Sequence, residues 1–455
     1  MEASAIILAA GEGTRMKSRH PKVSHKLLGR PLVRWVVEAA HDAGISRIVT
    51  VLGHAREVVE PIVADTNIVI QQEQRGTADA VMACASEFQG VTGSLLVLSG
   101  DSPLITPETL SALVAAREQD DAGVVVLTMQ PADPTGYGRI VRDAAGQVER
   151  IVEQKDCTPE EALIGECNSG FYCFDAQLLF QALSKVGTNN AQGEFYLTDV
   201  IEIARNEGRS VLGFCAADSN ECLGINTRVQ LAQASQVMQR RINERHMLAG
   251  VTMTDPSTVW IGPDVKLAQD VEILPMTTLL GAVEVGPDTV LGPNTRLTDT
   301  TVGAGCVIDE TVAVETVIDD GCTCGPRAYL RPGTHLCEGA KAGTHVEIKK
   351  STIGPGSKVP HLSYIGDTTM AGGVNIGAGS ITCNYDGERK WPTVIGENAF
   401  VGSDTMMVAP VTIGSHALVG AGSVITEDVP DCALALGRAR QVVKEQYRAP
   451  KPEQQ

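Results

Sequence analysis

Three things are scarce in this sequence. Aromatic residues make up only 4% of the 455 positions. Large rings fill deep cores, so their scarcity points to regular, thin layers packed with aliphatic side chains. Positive charge is also short, with 37 Lys and Arg against 55 Asp and Glu and a formal net charge of −18. That balance argues against a sequence-independent nucleic-acid binder, which needs a basic face, and any anionic ligand must be held by a local basic cluster. Third, no 18-residue apolar window exists, so no segment is expected to span a membrane. The opening MEASAIILAAGEG lacks a basic stretch before its brief apolar run. It reads as a strand, not a secretion signal.

Cysteine is present, but not in a pattern that binds metal or builds a scaffold. The 12 cysteines are scattered without paired CxxC knuckles. Cys322 and Cys324 form a lone CxC, which is either half of a metal site or two small buried thiols. Disulfide scaffolds are short and Cys-dense, so the expectation here is a reduced, cytoplasmic protein. The length is too great for one ordinary core and implies two domains.

The two halves follow different patterns. Up to about residue 226, short apolar runs at 6–9, 47–52, 68–71, 94–99 and 123–129 read as strands. Between them, 31–43 places Leu32, Val33, Val36, Val37 and Ala40 on one helical face, with Gly44 as the stop. Helices are also predicted over 77–87 and 107–119, the latter with Thr106 as N-cap before Pro107. Strands alternating with helices predict a parallel, doubly wound sheet that binds ligands at the carboxyl ends of its strands. Residues 229–248, without Gly or Pro, predict one long connecting helix. After Gly250 an aliphatic-Gly pair followed by four residues recurs, as in IGPDVK at Ile261, VGPDTV at Val285, LGPNTR at Leu291, IGENAF at Ile395 and VGAGSV at Val419. A six-residue period means that each repeat supplies one face of a parallel β-helix coil, with the aliphatic inside.

Two stretches carry candidate chemistry. In LAAGEGTRMKSRHPK, Gly11 and Gly13 follow the first apolar run, and Arg15, Lys17, Arg19, Lys22, Lys26 and Arg30 are basic within sixteen residues. A dinucleotide fingerprint fails at Met16, and the Gly-Lys-Ser/Thr ending of a Walker loop is absent. A bare turn remains possible, but the clustered cations favour a loop whose backbone N–H groups hold phosphates. Glu12, between the glycines, is the unfavourable detail. In the second half, YLRPGTHL, HVEIKKS, VPHLSYIGD and ITCNYDGERKWPT interrupt the hexapeptide rhythm between 327 and 395. Interruptions of a solenoid are expected to be inserted binding loops. His361 falls there, beside Arg331, Lys349, Asn384, Tyr385 and Lys390. A lone His is often structural, whereas one in such a setting is a candidate base.

LAAGEGTRM, PKVSHKLLGRPL, QQEQRGTADAV, GDSPLI, PTGYGRI, IVEQKD, NSGFY, NNAQGEFYLTD and GINTR follow in order. Joined to the hexapeptide half, they resemble the bifunctional N-acetylglucosamine-1-phosphate uridylyltransferase and glucosamine-1-phosphate N-acetyltransferase family. The resemblance covers all but the last fifteen or so residues. The implied fold is an α/β doubly wound (Rossmann-like) nucleotidyltransferase domain joined by a long helix to a left-handed parallel β-helix of hexapeptide repeats. The implied domains are 1–227 for uridylyl transfer, a linker helix 228–249, 250–440 for acetyl transfer, and a mobile tail 441–455. The implied function is synthesis of UDP-N-acetylglucosamine, a precursor of bacterial peptidoglycan and lipopolysaccharide-type envelopes. Acetyl-CoA and UTP are the co-substrates, Mg²⁺ the cofactor, glucosamine 1-phosphate and N-acetylglucosamine 1-phosphate the sugars, and a homotrimer the assembly.

Residue by residue, the resemblance implies that Leu8, Ala9, Ala10, Gly11, Ser99 and Gly100 line the uridylyl site. Gln71 and the Gly76-Thr77 pair would read uracil, and Gly138, Glu153 and Asn168 the sugar. Asp101 and Asn226 would hold Mg²⁺, although a strand-end Asp also makes a simple Asx turn. Arg15 and Lys22 would neutralise phosphate charge. In the acetyl site, His361 would be the base and Arg331 and Lys349 would hold the sugar phosphate. Tyr364, Asn375, Asn384, Tyr385 and Lys390 would complete that pocket, with Ala378, Ser403, Ala421 and Arg438 along acetyl-CoA. Cys383 is the rival as a covalent nucleophile. Two other readings are a nucleotide-sensing domain on a β-helical stalk and a sugar nucleotidyltransferase for another base or hexose. Ser99 stands where many relatives carry an aromatic before Gly-Asp.

Overall fold

The computed structural model describes residues 3–448. The chain divides into two compact units, Met1–Met238 and Gln239–Gln455. The helix Arg228–Leu248 runs through that division without a break. No helix among the described residues is long and apolar enough to cross a membrane. Residues 441–448 are exposed and form neither helix nor strand, and the rest of the expected tail lies outside the described residues.

The first unit is built on a nine-stranded sheet. Its strands are β1 (Ser4–Ala9), β2 (Arg47–Leu52), β3 (Asn67–Ile70), β4 (Ser94–Ser99), β5 (Val124–Met129), β6 (Arg139–Arg142), β7 (Val148–Val152), β8 (Cys167–Asp175) and β9 (Val211–Cys215). They lie in the order β9-β5-β8-β4-β1-β2-β3, with the β6–β7 hairpin attached to β8. The five strands expected from apolar runs are present within two residues of their expected limits. They are continuous apolar runs because both sheet faces are covered. Ala5, Ile7, Leu96 and Leu98 pack on one side with Val33, Val36 and Val37 of the helix Leu32–Asp42. Ile6, Val49, Leu95 and Val97 pack on the other with Leu178 and Leu179.

Two expectations need correction. The sheet is not wholly parallel, because β8 runs antiparallel to both β4 and β5. β8 is entered from a hairpin and not from a crossover helix, and a chain that turns back in this way pairs antiparallel. The helix expected over 77–87 ends early, as Thr77–Met82. Beyond it Cys84, Ala85 and Glu87 bond the carbonyls three residues back, so the chain tightens into successive turns. The helix Pro107–Gln119 begins as expected, with the Thr106 hydroxyl accepting from the Thr109 N–H at 3.3 Å.

The second unit is a three-sided coil with parallel sheets of 11, 10 and 9 short strands. Trp260 pairs with Thr278, 18 residues on, which is one hexapeptide per face. Ile261, Leu279, Leu297, Ala313, Leu330, Ile348 and Ile365 stack inside one face with no exposure. This is the arrangement of a left-handed β-helix of hexapeptide repeats. Aliphatic residues in single file fill so narrow a prism, which is why rings are few. Small residues take the buried corner positions, including Thr289, Cys306, Cys322 and Ser357. Cys322 and Cys324 are both buried there, so the CxC is a pair of core thiols.

Of the four stretches read as interruptions, three leave the coil intact. Leu330, Ile348, Ile365 and Val359 keep the inward positions of YLRPGTHL, HVEIKKS and VPHLSYIGD, and their strands stay in register. Only the outward side chains become polar, and a solenoid tolerates that change without insertion. The true insertion is in ITCNYDGERKWPT. There Asn375 pairs with Phe400, 25 residues on, where neighbouring coils take 16 to 18. The extra residues make a loop closed by a Tyr385–Lys390 bridge.

Candidate active sites

In the first unit the chemistry gathers at the carboxyl ends of β1, β3 and β4. A cavity of about 340 Å³ is lined there by Leu8, Ala9, Ala10, Gly11, Lys22, Gln71, Gly76, Thr77, Ser99 and Asp101, all named from the sequence. Gly100 lies behind the wall, where the Leu8 carbonyl accepts its N–H at 3.0 Å. A Cβ on Gly100 would fall 2.9 Å from that oxygen, so the strand ends can meet only through glycine.

The glycine-rich loop folds back on its own lysine. Gly13 has φ +71°, and a Cβ there would sit 2.5 Å from Cβ of Lys22. Glycine is required twice over, for the left-handed backbone and for the close approach. The loop thereby delivers Lys22 to Asp101, with which it forms an ion pair, and to Asn226 Oδ1 at 2.9 Å. Arg15 Nη2 reaches the same Asn226 oxygen at 2.9 Å. Asn226 is held beside Asp101 because the Ile225 N–H donates to the Asp101 carbonyl at 2.9 Å. A carboxylate and an amide oxygen, 125 residues apart in sequence, thus face one cationic point. Glu12 is exposed at the loop tip.

Around the opposite wall, Gln71 Nε2 donates to Asp79 Oδ2 at 2.8 Å and to the Gly76 carbonyl at 3.2 Å. Gln74, Glu194, Val23 and Ala80 also line the cavity and were not singled out in the sequence. Gln74 Nε2 donates to the Ala10 carbonyl at 2.6 Å, tying that wall to the glycine-rich loop. Glu194 is positioned by Asn190, whose Nδ2 donates to its carbonyl at 2.6 Å. Both residues fall within quoted motifs, so the motif marked the segment while only the fold marked the side chain.

Gly138, Glu153 and Asn168 lie outside that cavity lining. The Asn168 N–H donates to the Gly138 carbonyl at 2.8 Å, and Asn168 Nδ2 to the Tyr172 hydroxyl at 2.7 Å. Glu153 accepts from the Thr198 hydroxyl at 3.3 Å. Burial pushes its carboxyl above the usual range despite that bond, and Asp156 and Asp199 add to the rise. Asp199 is itself raised to about 6, by burial and then by Glu202 and Asp156.

In the second unit the residues named from the sequence fall into two groups. Arg331 directly follows the strand Tyr329–Leu330 and Lys349 ends the strand Glu347–Lys349 on the next coil, with Tyr364 on the one after. Arg331 pairs with Glu347 at 2.7 Å, and Lys349 with Asp367 at 3.3 Å. Asn384 Nδ2 also donates to Asp367, at 2.5 Å. Lys390 returns from the inserted loop to Lys349. The neighbouring Lys349 ammonium draws Lys390 below the usual lysine range, while Asp367 steadies its charge. Two ammonium groups against one carboxylate leave a positive spot suited to an anion. Gly366 is the residue the sequence did not reveal. A Cβ on it would meet the Tyr364 hydroxyl at 2.5 Å and Asn384 Nδ2 at 2.6 Å. The close approach of both side chains therefore depends on glycine.

The second group lies on another face. Asn375 is in register with Lys358, and Ala378, Ser403 and Ala421 recur at one corner of three successive coils. Arg438 follows on the next, and its side chain passes 3.8 Å from where a Cβ on Gly422 would stand. His361 stands at the exposed end of the strand Lys358–His361, three residues before Tyr364. A cavity of about 470 Å³ is lined by Asp367, Lys390, Trp391 and Lys350 and does not include His361. Tyr385 is exposed and donates to the Gly387 carbonyl at 2.5 Å, within the loop. Burial pushes the Cys383 thiol up, which makes it a poorer nucleophile.

Comparison with known proteins adds the family. Residues 5–161 match the MobA-like NTP transferase domain, and residues 392–427 match the bacterial transferase hexapeptide (six repeats). The bifunctional protein GlmU of Heliobacterium modesticaldum is 49% identical, covering 98% of this chain and 97% of that protein. GlmU of Caldanaerobacter subterraneus is 48% identical with the same coverage. GlmU of Halalkalibacterium halodurans is 47% identical, covering 97% of this chain and 98% of that protein. With the nucleotidyltransferase fold in one unit and the hexapeptide coil in the other, the chain belongs to the GlmU family of bifunctional enzymes, which carry the uridylyltransferase and acetyltransferase activities of UDP-N-acetylglucosamine synthesis.

Proposed function

We propose that residues 1–227 perform uridylyl transfer and residues 250–440 acetyl transfer, acetylation coming first, with 228–249 as the joining helix. The observation that carries the first assignment is the convergence of Lys22, Arg15, Asp101 and Asn226. A phosphate oxygen of N-acetylglucosamine 1-phosphate attacks the α-phosphorus of UTP, and pyrophosphate leaves. The attacking group is already an anion, so positioning and charge neutralisation supply most of the catalysis. Lys22 and Arg15 neutralise phosphate oxygens, and the backbone of Ala10 and Gly11 approaches them closely. Asp101 and Asn226 offer two hard oxygen donors facing one cationic point, a set that fits Mg²⁺. When bound, that ion would supply further charge neutralisation on the phosphates. Gln71 and Gly76-Thr77 receive the base, and Gly138, Glu153 and Asn168 the sugar.

In the acetyl site, Arg331, Lys349 and Lys390 hold the phosphate of glucosamine 1-phosphate. Its amine, mostly protonated at neutral pH, first sheds one proton to solvent; the free amine then attacks the thioester of acetyl-CoA, His361 takes the second proton as the amide forms, and the CoA thiolate leaves. Tyr364, Asn375, Asn384 and Tyr385 complete the pocket, while Ala378, Ser403, Ala421 and Arg438 follow acetyl-CoA along the coil. His361 and the corner residues lie on faces apart from the 470 Å³ cavity, and this favours a homotrimer whose sites form between subunits. The enzyme would work in the cytoplasm, where both co-substrates are made. The test is two incubations of the pure protein, one with UTP and N-acetylglucosamine 1-phosphate and one with acetyl-CoA and glucosamine 1-phosphate. Failure of the second alone would favour a β-helical stalk, and turnover of another sugar or base in the first would change the substrate.

A further inference from the structure

On a face of the coil, two successive rungs of the β-helix bring together three side chains that neither reaction uses. Val317 pairs with His335 and Ile318 with Leu336. The next register position therefore sets Asp319 beside Cys337, and the Asp319 N–H donates to the Leu336 carbonyl at 2.8 Å. Neighbouring parallel strands lie about 4.8 Å apart, and residues i and i+2 point to one side. His335 and Cys337 accordingly share a face with Asp319. One ligand atom from each of the three lies within 4.8 Å of the other two. His335 Nε2 is 2.8 Å from Asp319 Oδ2. All three residues are partly open to solvent, so an ion can reach them. Behind them, the buried Cys306 thiol donates to the Asp319 carbonyl at 3.2 Å, and the buried Cys322 thiol to the Cys337 carbonyl at 3.1 Å. These bonds hold the backbone of two members of the cluster.

We propose that Asp319, His335 and Cys337 form a binding site for a divalent transition-metal ion of zinc-like chemistry. One imidazole nitrogen, one thiolate and one carboxylate suit such an ion, whose fourth position would carry water. Ligand atoms around a tetrahedral zinc stand roughly 3.3–3.8 Å apart, so the ion would part the 2.8 Å His335–Asp319 contact slightly and draw any wider gap within the 4.8 Å cluster inward, by side-chain rotation. Mg²⁺ prefers oxygen donors and does not compete, which separates this site from Asp101 and Asn226. Binding releases the Cys337 thiol proton to solvent as the sulfur becomes a ligand. The ion joins one coil to the next from outside, so it stabilises the second unit by mass action.

Co²⁺ is the probe, added to the full chain under a thiol-free reductant. One equivalent should give the strong visible bands of a tetrahedral ion and a near-ultraviolet thiolate-to-cobalt band, with Zn²⁺ but not Mg²⁺ bleaching both. C337S should lose the thiolate band, and H335Q should bind Co²⁺ at least roughly tenfold more weakly. C215S and C432S, at the exposed thiols, should leave the spectrum unchanged. A spectrum without the thiolate band, or one that survives unchanged in both C337S and H335Q, would overturn the site. Each of these substitutions is at a partly or fully exposed side chain, so folding is preserved.

Discussion

Replacing Gly76 by alanine should separate the two activities, and its size can be worked from the geometry. Gly76 has φ +123°, and a Cβ there would lie 2.4 Å from the Phe195 carbonyl oxygen and 2.8 Å from the Phe195 nitrogen. Neither atom is free to retreat. The oxygen accepts the Ala78 N–H at 3.0 Å, and the nitrogen donates to the Arg75 carbonyl at 2.8 Å. Alanine in this nearly glycine-only region costs about 1–3 kcal/mol, and overpacking typically about 1–3 kcal/mol. Losing one of the two hydrogen bonds adds about 1 kcal/mol, for a total near 3–7 kcal/mol. That is comparable to part, not all, of a domain's stability of about 5–15 kcal/mol. The first unit should therefore stay folded and relieve the strain by moving the segment around Phe195. Glu194, which lines the cavity, precedes Phe195, and the Leu197 N–H donates to the Thr77 hydroxyl at 3.0 Å, so the whole wall shifts.

If about 3 kcal/mol of this appears as lost transition-state stabilisation, uridylyl kcat/KM falls roughly 10²-fold. The KM for UTP should rise with it, because Gln71 and Thr77 share that wall. The assay is pyrophosphate release, run beside release of free CoA by the acetyl reaction on the same preparation. Acetyl transfer should stay within about twofold, since the atoms nearest that Cβ all belong to Phe195 of the first unit. An unchanged kcat/KM for UTP in a protein of unchanged Tm would refute the argument that this wall is held by contact with Phe195.

The remaining expectations are shorter. Asp101→Ala removes the carboxylate from the Lys22 and Asn226 cluster and should lower uridylyl transfer at least about 10²-fold, sparing CoA release. Equal loss of both activities would count against separate sites. His361→Ala should lower acetyl transfer by about 10²–10⁴-fold, the usual worth of a positioned base, with pyrophosphate release intact, and a full acetyl rate would sink the assignment. For Asp199, the folded carboxyl titrates near 6, above its ordinary value of 3.8. The folded state thus holds the proton more tightly, and stability falls as pH rises from about 3.8 through 6. Asp199→Asn should flatten the Tm profile across that window, and an undiminished slope would assign it to other groups.

The legible and the hidden parts differ by how much of the chain each required. The strands β1, β2 and β4 could be read from short windows because each is a self-contained apolar run between covered faces. Lys22, Asp101 and Gly76 were reached through ordered motifs. Glu194 and Gln74 lie in quoted motifs but were not singled out, because only the fold shows which side chains of those segments reach the cavity. The β6–β8 segment was missed because it forms a hairpin and an antiparallel strand, with no helix alternating between its strands. Gly366 was hidden for a related reason. Its need is set by Asn384, from the next coil, and by Tyr364 folding over it.

Coil geometry also explains why polarity misled over 327–366. In a solenoid, inward and outward positions are independent, so polar outward residues say nothing about whether the coil is interrupted. Ile348 and Ile365 kept the inward file while Lys349 and Tyr364 faced out. The same geometry makes distant residues neighbours. Asp319 and Cys337 are 18 residues apart, which is one coil, and His335 sits two before Cys337. No short window contains that cluster, and no metal-binding spacing describes it. It becomes visible only when the sequence is folded at its own period, so ligand groups in β-helical proteins should be sought at separations of one coil.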